Sequence, residues 1–320
     1  MTNFDVFNGD ADGICALIQL RLAEPRNAVL VTGVKRDVEL LDRVIAGAHD
    51  RVTVLDVSLA NNRPALERLL EAGAEVFYVD HHLAGPIPVS PRLTALINQA
   101  PEVCTSLLVN AHLKGRFARW AVVGAFGDNL ARSALRLAGQ LDLDKDELAL
   151  LEEFGTYLNY NGYGECVEDL HFTPDELFRL ASAHTDPLAF IQEGREHFHK
   201  LRDGYQSDIA AAQASSPVRA NDRIAVFILP DIPWARRVSG AFSNALTNLN
   251  PGRAHAVLTE KADGSFVVSV RAPLSNRTGA ADLCRHFPTG GGREAAAGIN
   301  HLPVAEFDRF LARFEAAYRA

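Results

Sequence analysis

Five short apolar runs, at residues 4–7, 28–32, 52–55, 76–79 and 95–97, each close on polar residues and are separated by segments with helical spacing at 13–22, 38–46 and 63–72. Apolar runs this brief with polar ends fit buried strands rather than helices. Strands that alternate with helix-length crossovers predict a doubly wound parallel sheet. Strand signals stop from 117 to 215, where the pattern is mostly helical with Asp142, Thr173 and Asp186 as helix starts. The small, polar stretch AAAQASSP at 210–217 reads as a linker. A second alternation follows, with strands at 224–229, 254–259 and 266–271 and helices at 234–249, 280–287 and 304–318. The expected fold is α/β: a doubly wound N-terminal domain with a helical extension over 1–209, then a smaller α/β domain over 218–320. There is no internal repeat.

With 320 residues, 48% hydrophobic and 22% charged, the chain can bury two cores, which excludes disorder and coiled coil. Forty acidic against 32 basic residues leave a net charge of −8, which argues against coating long nucleic acid by charge alone. Residues 217–320 carry 13 Lys+Arg against 9 Asp+Glu, so −12 falls on residues 1–216. An acidic half suits metal cations and a basic half suits an anion, although solvated surfaces can split in the same way. The four cysteines, Cys15, Cys104, Cys166 and Cys284, form no CxxC pair and read as buried thiols of a reducing compartment. The acidic N-terminal segment and the lack of an apolar run near 18 residues predict a cytoplasmic protein without a membrane span.

In an open α/β sheet, ligands bind beyond the carboxyl ends of the strands. Those positions hold Asn8-Gly9-Asp10-Ala11-Asp12-Gly13, then Asp56, then Asp80-His81-His82. Each alone reads equally as a helix cap or turn. Together, four aspartates and two histidines on one sheet edge would repel one another without cations. Oxygen ligands mixed with imidazole suit manganese, magnesium or iron. Asp56 is well placed to bridge two such ions, and Asp128, in Gly127-Asp128-Asn129, is a further ligand candidate whose plain alternative is a cap.

These four motifs, in this order, resemble those of the DHH phosphoesterase superfamily, which includes RecJ-like exonucleases, oligoribonucleases, cyclic-dinucleotide phosphodiesterases and exopolyphosphatases. Ser269-Val270-Arg271 and the run Gly290-Gly291-Gly292-Arg293-Glu294-Ala295-Ala296-Ala297-Gly298 resemble the substrate-binding domain that accompanies many DHH domains. The resemblance spans residues 8 to 298. It implies two divalent cations, with manganese expected: one on Asp10 and Asp56, the other on Asp12, Asp56, His81 and Asp128. Asp80 would support the site and His82 would contact the scissile phosphate. The chain departs from the pattern at Val6 and Asn8, where relatives carry a histidine or an acid, so Asn8 would offer only a neutral amide oxygen. Arg293 replaces the family histidine and would grip phosphate as a permanent cation. The glycine run, Gly290, Gly291 and Gly292, would form an anion-binding nest beside Arg271.

The implied activity is phosphodiester hydrolysis of a short oligonucleotide or small phosphate ester, by a hydroxide bridging the two cations. One alternative is a phosphomonoesterase or exopolyphosphatase acting on a bisphosphate or polyphosphate. Another is a non-catalytic nucleotide-binding scaffold. Long duplexes are not expected as partners, and a homodimer could form through the helical region. Residues 154–164, rich in Tyr and Asn, would either form a base-stacking lip or pack locally.

Overall fold

A computed structural model of the chain describes residues 1–319. They fall into two compact units, Met1–Asp203 and a second beginning at Gly204.

In the first unit, β1 (Asn3–Phe7), β2 (Val29–Val31), β3 (Arg51–Leu55), β4 (Glu75–Asp80) and β5 (Leu93–Ile97) form one sheet in the order β2-β1-β3-β4-β5, with every pairing parallel. The order reverses at β1, so β1 and β3 flank the switch point where such sheets open a ligand crevice. Helix α1 (Ala11–Ala23) follows β1 and is buried from Ala11 to Leu20. A helix that is apolar on all sides must be covered on all sides; α3 (Thr105–His112) and α4 (Ala118–Gly127) cover α1 away from the sheet. The opposite face of the sheet packs Val6, Val52, Val54 and Val76 against Leu59, Leu66 and Leu69 of α2 (Leu59–Glu71).

The expected helix over 38–46 is absent; residues 40–43 make only one tight turn. Its periodicity comes from Leu40, Leu41 and Val44, which are buried beneath α2. Side chains of α2 satisfy the segment's backbone in place of helical bonds. Asn62 accepts from the Leu41 N–H and donates to the Val38 carbonyl, while Arg68 donates to the carbonyls of Leu41, Asp42 and Val44.

The helical extension comprises α5 (Ala131–Ala138), α6 (Lys145–Asn161), α7 (Pro174–Ser182), α8 (Pro187–Glu193) and α9 (Arg195–Gln213). Thr173 and Asp186 cap α7 and α8 as expected. The cap of α6 is Asp144 rather than Asp142, because Asp144 and Glu147 complete a reciprocal capping box. Helix α9 continues through Ala210 to Gln213, so the first half of the stretch read as a linker is helical.

The second unit holds β6 (Arg219–Ala220), β7 (Ile224–Leu229), α10 (Pro233–Leu249), β8 (Ala254–Glu260), β9 (Ser265–Arg271), α11 (Ala280–Arg285), β10 (Gly290–Gly292), β11 (Ala296–Pro303) and α12 (Phe307–Ala317). Its mixed sheet runs β10-β11-β9-β8-β7-β6, with β7 and β8 parallel. One core packs Val268, Val270 and Ile299 with Leu283, Phe310 and Phe314. Cys15, Cys104 and Cys284 are buried, but Cys166 is exposed, because it lies just past the end of α6 in an irregular segment. No helix among the described residues is long and apolar enough to cross a membrane.

Candidate metal centre

The carboxyl ends of β1, β3 and β4 lie side by side, and the sheet hydrogen bonding carries one residue past the strands. Asn8 N–H donates to the Leu55 carbonyl at 3.2 Å and Asp56 N–H to the Val79 carbonyl at 3.1 Å. The residues that follow are therefore held as firmly as the sheet itself. Asp56 then turns the chain with φ at +58°, a conformation that costs a non-glycine residue energy and that clusters at functional sites.

Asp10 caps α1, its Oδ1 accepting from the N–H groups of Asp12 at 3.0 Å and Gly13 at 3.1 Å. Asp12 reaches the start of α3, where its two oxygens accept from the N–H groups of Thr105 and Ser106, each at 2.7 Å. Thr105 also donates its hydroxyl to Asp56 Oδ1 at 3.2 Å. Asp128 ends α4 as its C-cap. Capping therefore accounts for one oxygen of Asp10 and for both oxygens of Asp12, but not for the Asp56 carboxylate.

His81 draws the cluster together. Its Nδ1 bonds the Val103 carbonyl at 2.9 Å, and a carbonyl can only accept, so Nδ1 carries the proton. Nε2 then faces Asp56 Oδ1 at 3.3 Å, Asp12 Oδ2 at 3.8 Å and Asp128 Oδ2 at 3.9 Å. Three carboxylate oxygens gathered about one ring nitrogen repel one another unless positive charge lies among them. Next to it, His82 Nδ1 bonds the buried Asp80 Oδ1 at 2.7 Å. The other Asp80 oxygen, Oδ2, has no hydrogen-bond partner.

The electrostatics point the same way. Burial, together with Asp12 and Asp10, pushes the Asp56 carboxyl well above the usual carboxylate range. Burial opposes charge on His82, but Asp80 and Asp56 outweigh it and raise the imidazole above its ordinary value. Asp10 behaves oppositely. Burial would raise it, yet the ion pair and hydrogen bond from Lys35 outweigh burial and hold it at about 2. Among the described residues, ligand atoms of Asp56, His81 and His82 lie within 4.8 Å of one another and fit a divalent cation, and Asp12 and Asp128 face the same His81 nitrogen.

Sequence reasoning missed Lys35, Thr105, Ser106 and Asn159. Lys35 Nζ is ion-paired with Asp10 Oδ2 and donates to Asn159 Oδ1 at 2.9 Å. Asn8 has its Oδ1 on the Asp10 N–H at 3.3 Å and its Nδ2 on the Lys35 carbonyl at 3.3 Å. The stretch 154–164 does not make an aromatic lip. Tyr157 and Tyr160 are buried, the Tyr160 hydroxyl bonds His171, and Tyr163 packs its ring 5.5 Å from the Lys35 ammonium.

In the second unit, Arg271 ends β9 and donates from Nε to Asn244 Oδ1 at 2.7 Å, in register with Ala296 and His255. The expected glycine loop is instead a strand: Gly290, Gly291 and Gly292 pair with Ile299, Gly298 and Ala297. Packing explains the first glycine, since a Cβ at Gly290 would lie 1.8 Å from the Cys284 carbonyl oxygen. Arg293 is exposed at the hairpin tip, where its backbone exchanges hydrogen bonds with Ala296.

No protein-family model matches the sequence, and no curated protein matches it. Solved structures do match in fold. A manganese complex of RecJ from Thermus thermophilus has a TM-score of 0.66 and 19% identity, covering 100% of this chain and 52% of that one. A manganese-bound exonuclease RecJ gives 0.60 and 18%, covering 98% and 89%. A pGpG-specific phosphodiesterase, PggH from Vibrio cholerae, gives 0.55 and 14%, covering 99% and 98%. The parallel sheet with its flanking helices and the second, mixed-sheet unit are therefore those of the RecJ-like fold.

Proposed function

We propose that this chain is a divalent-cation-dependent phosphoesterase, a hydrolase that cleaves phosphoester bonds in short oligonucleotides or a related small phosphate diester. The observation that carries this reading is His81 Nε2 aimed at Asp56, Asp12 and Asp128 at the carboxyl ends of a parallel sheet. The fold it shares with a manganese-bound exonuclease and a pGpG-specific phosphodiesterase supports it. Asp12, Asp56, His81 and Asp128 would hold the ion. When bound, such an ion polarises a phosphoryl oxygen and lowers the pKa of water.

The protein's own groups supply orientation and a proton. Val103 fixes the His81 ring, and the N–H groups of Thr105 and Ser106 fix the Asp12 carboxylate. His82, with Nδ1 on Asp80 and 35% of its side chain exposed, would carry its other ring proton towards the leaving oxygen. Arg271 and Arg293 would receive a terminal phosphate. The overall charge of −8 favours short substrates over long strands.

Protein stripped with chelator and resupplied with manganese is expected to hydrolyse a dinucleotide, and Asp56→Ala to lose that activity. A panel adding a bisphosphate and tripolyphosphate fixes the ester class. No turnover of any of the three, or full turnover by Asp56→Ala, would contradict the proposal.

A further inference from the structure

The Lys35 ammonium sits against Asp10, a carboxylate beyond β1 that is not among those facing His81 Nε2. We infer that Lys35 is a built-in replacement for one cation of the centre, so that this chain binds a single divalent ion, on Asp12, Asp56, His81 and Asp128. The inference rests on the phosphoesterase reading and deepens it.

Asp10 differs from Asp12 in its partner: Oδ1 caps α1 and Oδ2 is ion-paired with the ammonium, so a cation at Oδ2 would have to displace Lys35. The ammonium is enclosed. Besides Asp10 it has Asn159 Oδ1 at 2.9 Å and the Tyr163 ring at 5.5 Å, and the Lys35 side chain is 23% exposed. Its backbone is anchored as well: the Lys35 N–H donates to the Gly162 carbonyl at 2.7 Å, and the Lys35 carbonyl accepts from Asn8 Nδ2. The end of β2 can come this close to β1 because Gly9 lacks a Cβ, which would lie 2.0 Å from the Gly33 carbonyl oxygen.

Asn8 belongs to the same device. An acid at this position would add negative charge for a second ion, but it could not donate to the Lys35 carbonyl. The amide does donate, and its Oδ1 is turned to the Asp10 backbone. The charges are consistent with one ion. Lys35 is paired with Asp10, which leaves Asp12, Asp56 and Asp128, with His82 beside Asp56, about the His81 nitrogen. A second dication on Asp10 would have to displace the ammonium or lie beside it, and like charges at that separation repel strongly.

The test is a manganese count on the full chain, stripped and titrated with manganese alone, read by elemental analysis and electron paramagnetic resonance. Wild type should bind about one manganese per chain with the signal of an isolated ion. Lys35→Met should admit a second ion and produce a spin-coupled pair, whereas Lys35→Arg, which keeps the charge, should remain at one. Circular dichroism establishes that each variant is folded; if Lys35→Met is not, the wild-type and Lys35→Arg counts decide. Two coupled ions in wild type would overturn the inference while leaving the phosphoesterase reading intact. A folded Lys35→Met that still binds one would overturn the role of Lys35. No manganese on wild type would overturn the phosphoesterase reading itself.

Discussion

Asp10 and Asp56 end adjacent strands of one sheet and are both buried, yet their surroundings drive them in opposite directions. Lys35 holds Asp10 ionised at about 2, whereas burial and the neighbouring aspartates push Asp56 up. The Asp10 side carries a fixed cation of the protein's own. The Asp56 side gathers Asp12, Asp56 and Asp128 about Nε2 of His81, with His82 beside Asp56, and has no fixed cation against Asp56 itself. Similar residues at equivalent strand ends therefore do different work, and the difference lies in one lysine.

The largest expected effect tests the Asp56 side. Asp56→Ala should lower manganese-supported hydrolysis by about 1,000-fold or more, because it removes the carboxylate nearest to His81 Nε2; steady-state kinetics on a dinucleotide measures it. The Asp10 side should respond in stability instead. Lys35→Met strands a buried carboxylate and should cost about 3 kcal/mol in urea unfolding of the apo protein, most of which Asp10→Asn should restore in the double variant.

A third, intermediate effect is in pH. Unfolded Asp56 titrates near 4 and unfolded His82 near 6.5, and both are raised in the fold. The fold therefore favours their protonated forms, and that stabilisation, full below the unfolded values, is lost as pH rises through the folded ones. Apo protein should melt at lower temperature as pH rises above the unfolded histidine value of about 6.5, and manganese or Asp56→Asn should flatten that slope. Asp10 contributes the opposite sign: its stabilisation is present above about 4 and is lost only as pH falls towards 2. The smallest effect is that of Thr105→Val, which removes the hydroxyl bond to Asp56 and should change stability by about 1 kcal/mol.

What the sequence revealed follows from which interactions are local. The five parallel strands were legible because each is a short apolar run, and the strand-end acids because a parallel sheet gathers its carboxyl ends. Lys35 was not legible. It lies in Val34-Lys35-Arg36-Asp37, an ordinary charged loop, and its partners Asp10 and Asn159 are 25 and 124 residues away. Thr105 and Ser106 contribute backbone N–H groups, which no residue type announces. The strand β10 escaped because three glycines carry no alternating pattern, and 38–46 misled because buried leucines can be spaced like a helix while Asn62 and Arg68 satisfy their backbone.

Anomalous diffraction at the manganese edge, from crystals of the full chain grown with manganese, tests the central claim most directly. The expected map has one peak, bonded by Asp12, Asp56, His81 and Asp128, with the Lys35 ammonium still on Asp10. A second peak at Asp10 with Lys35 displaced, or no peak among these residues, would contradict the account.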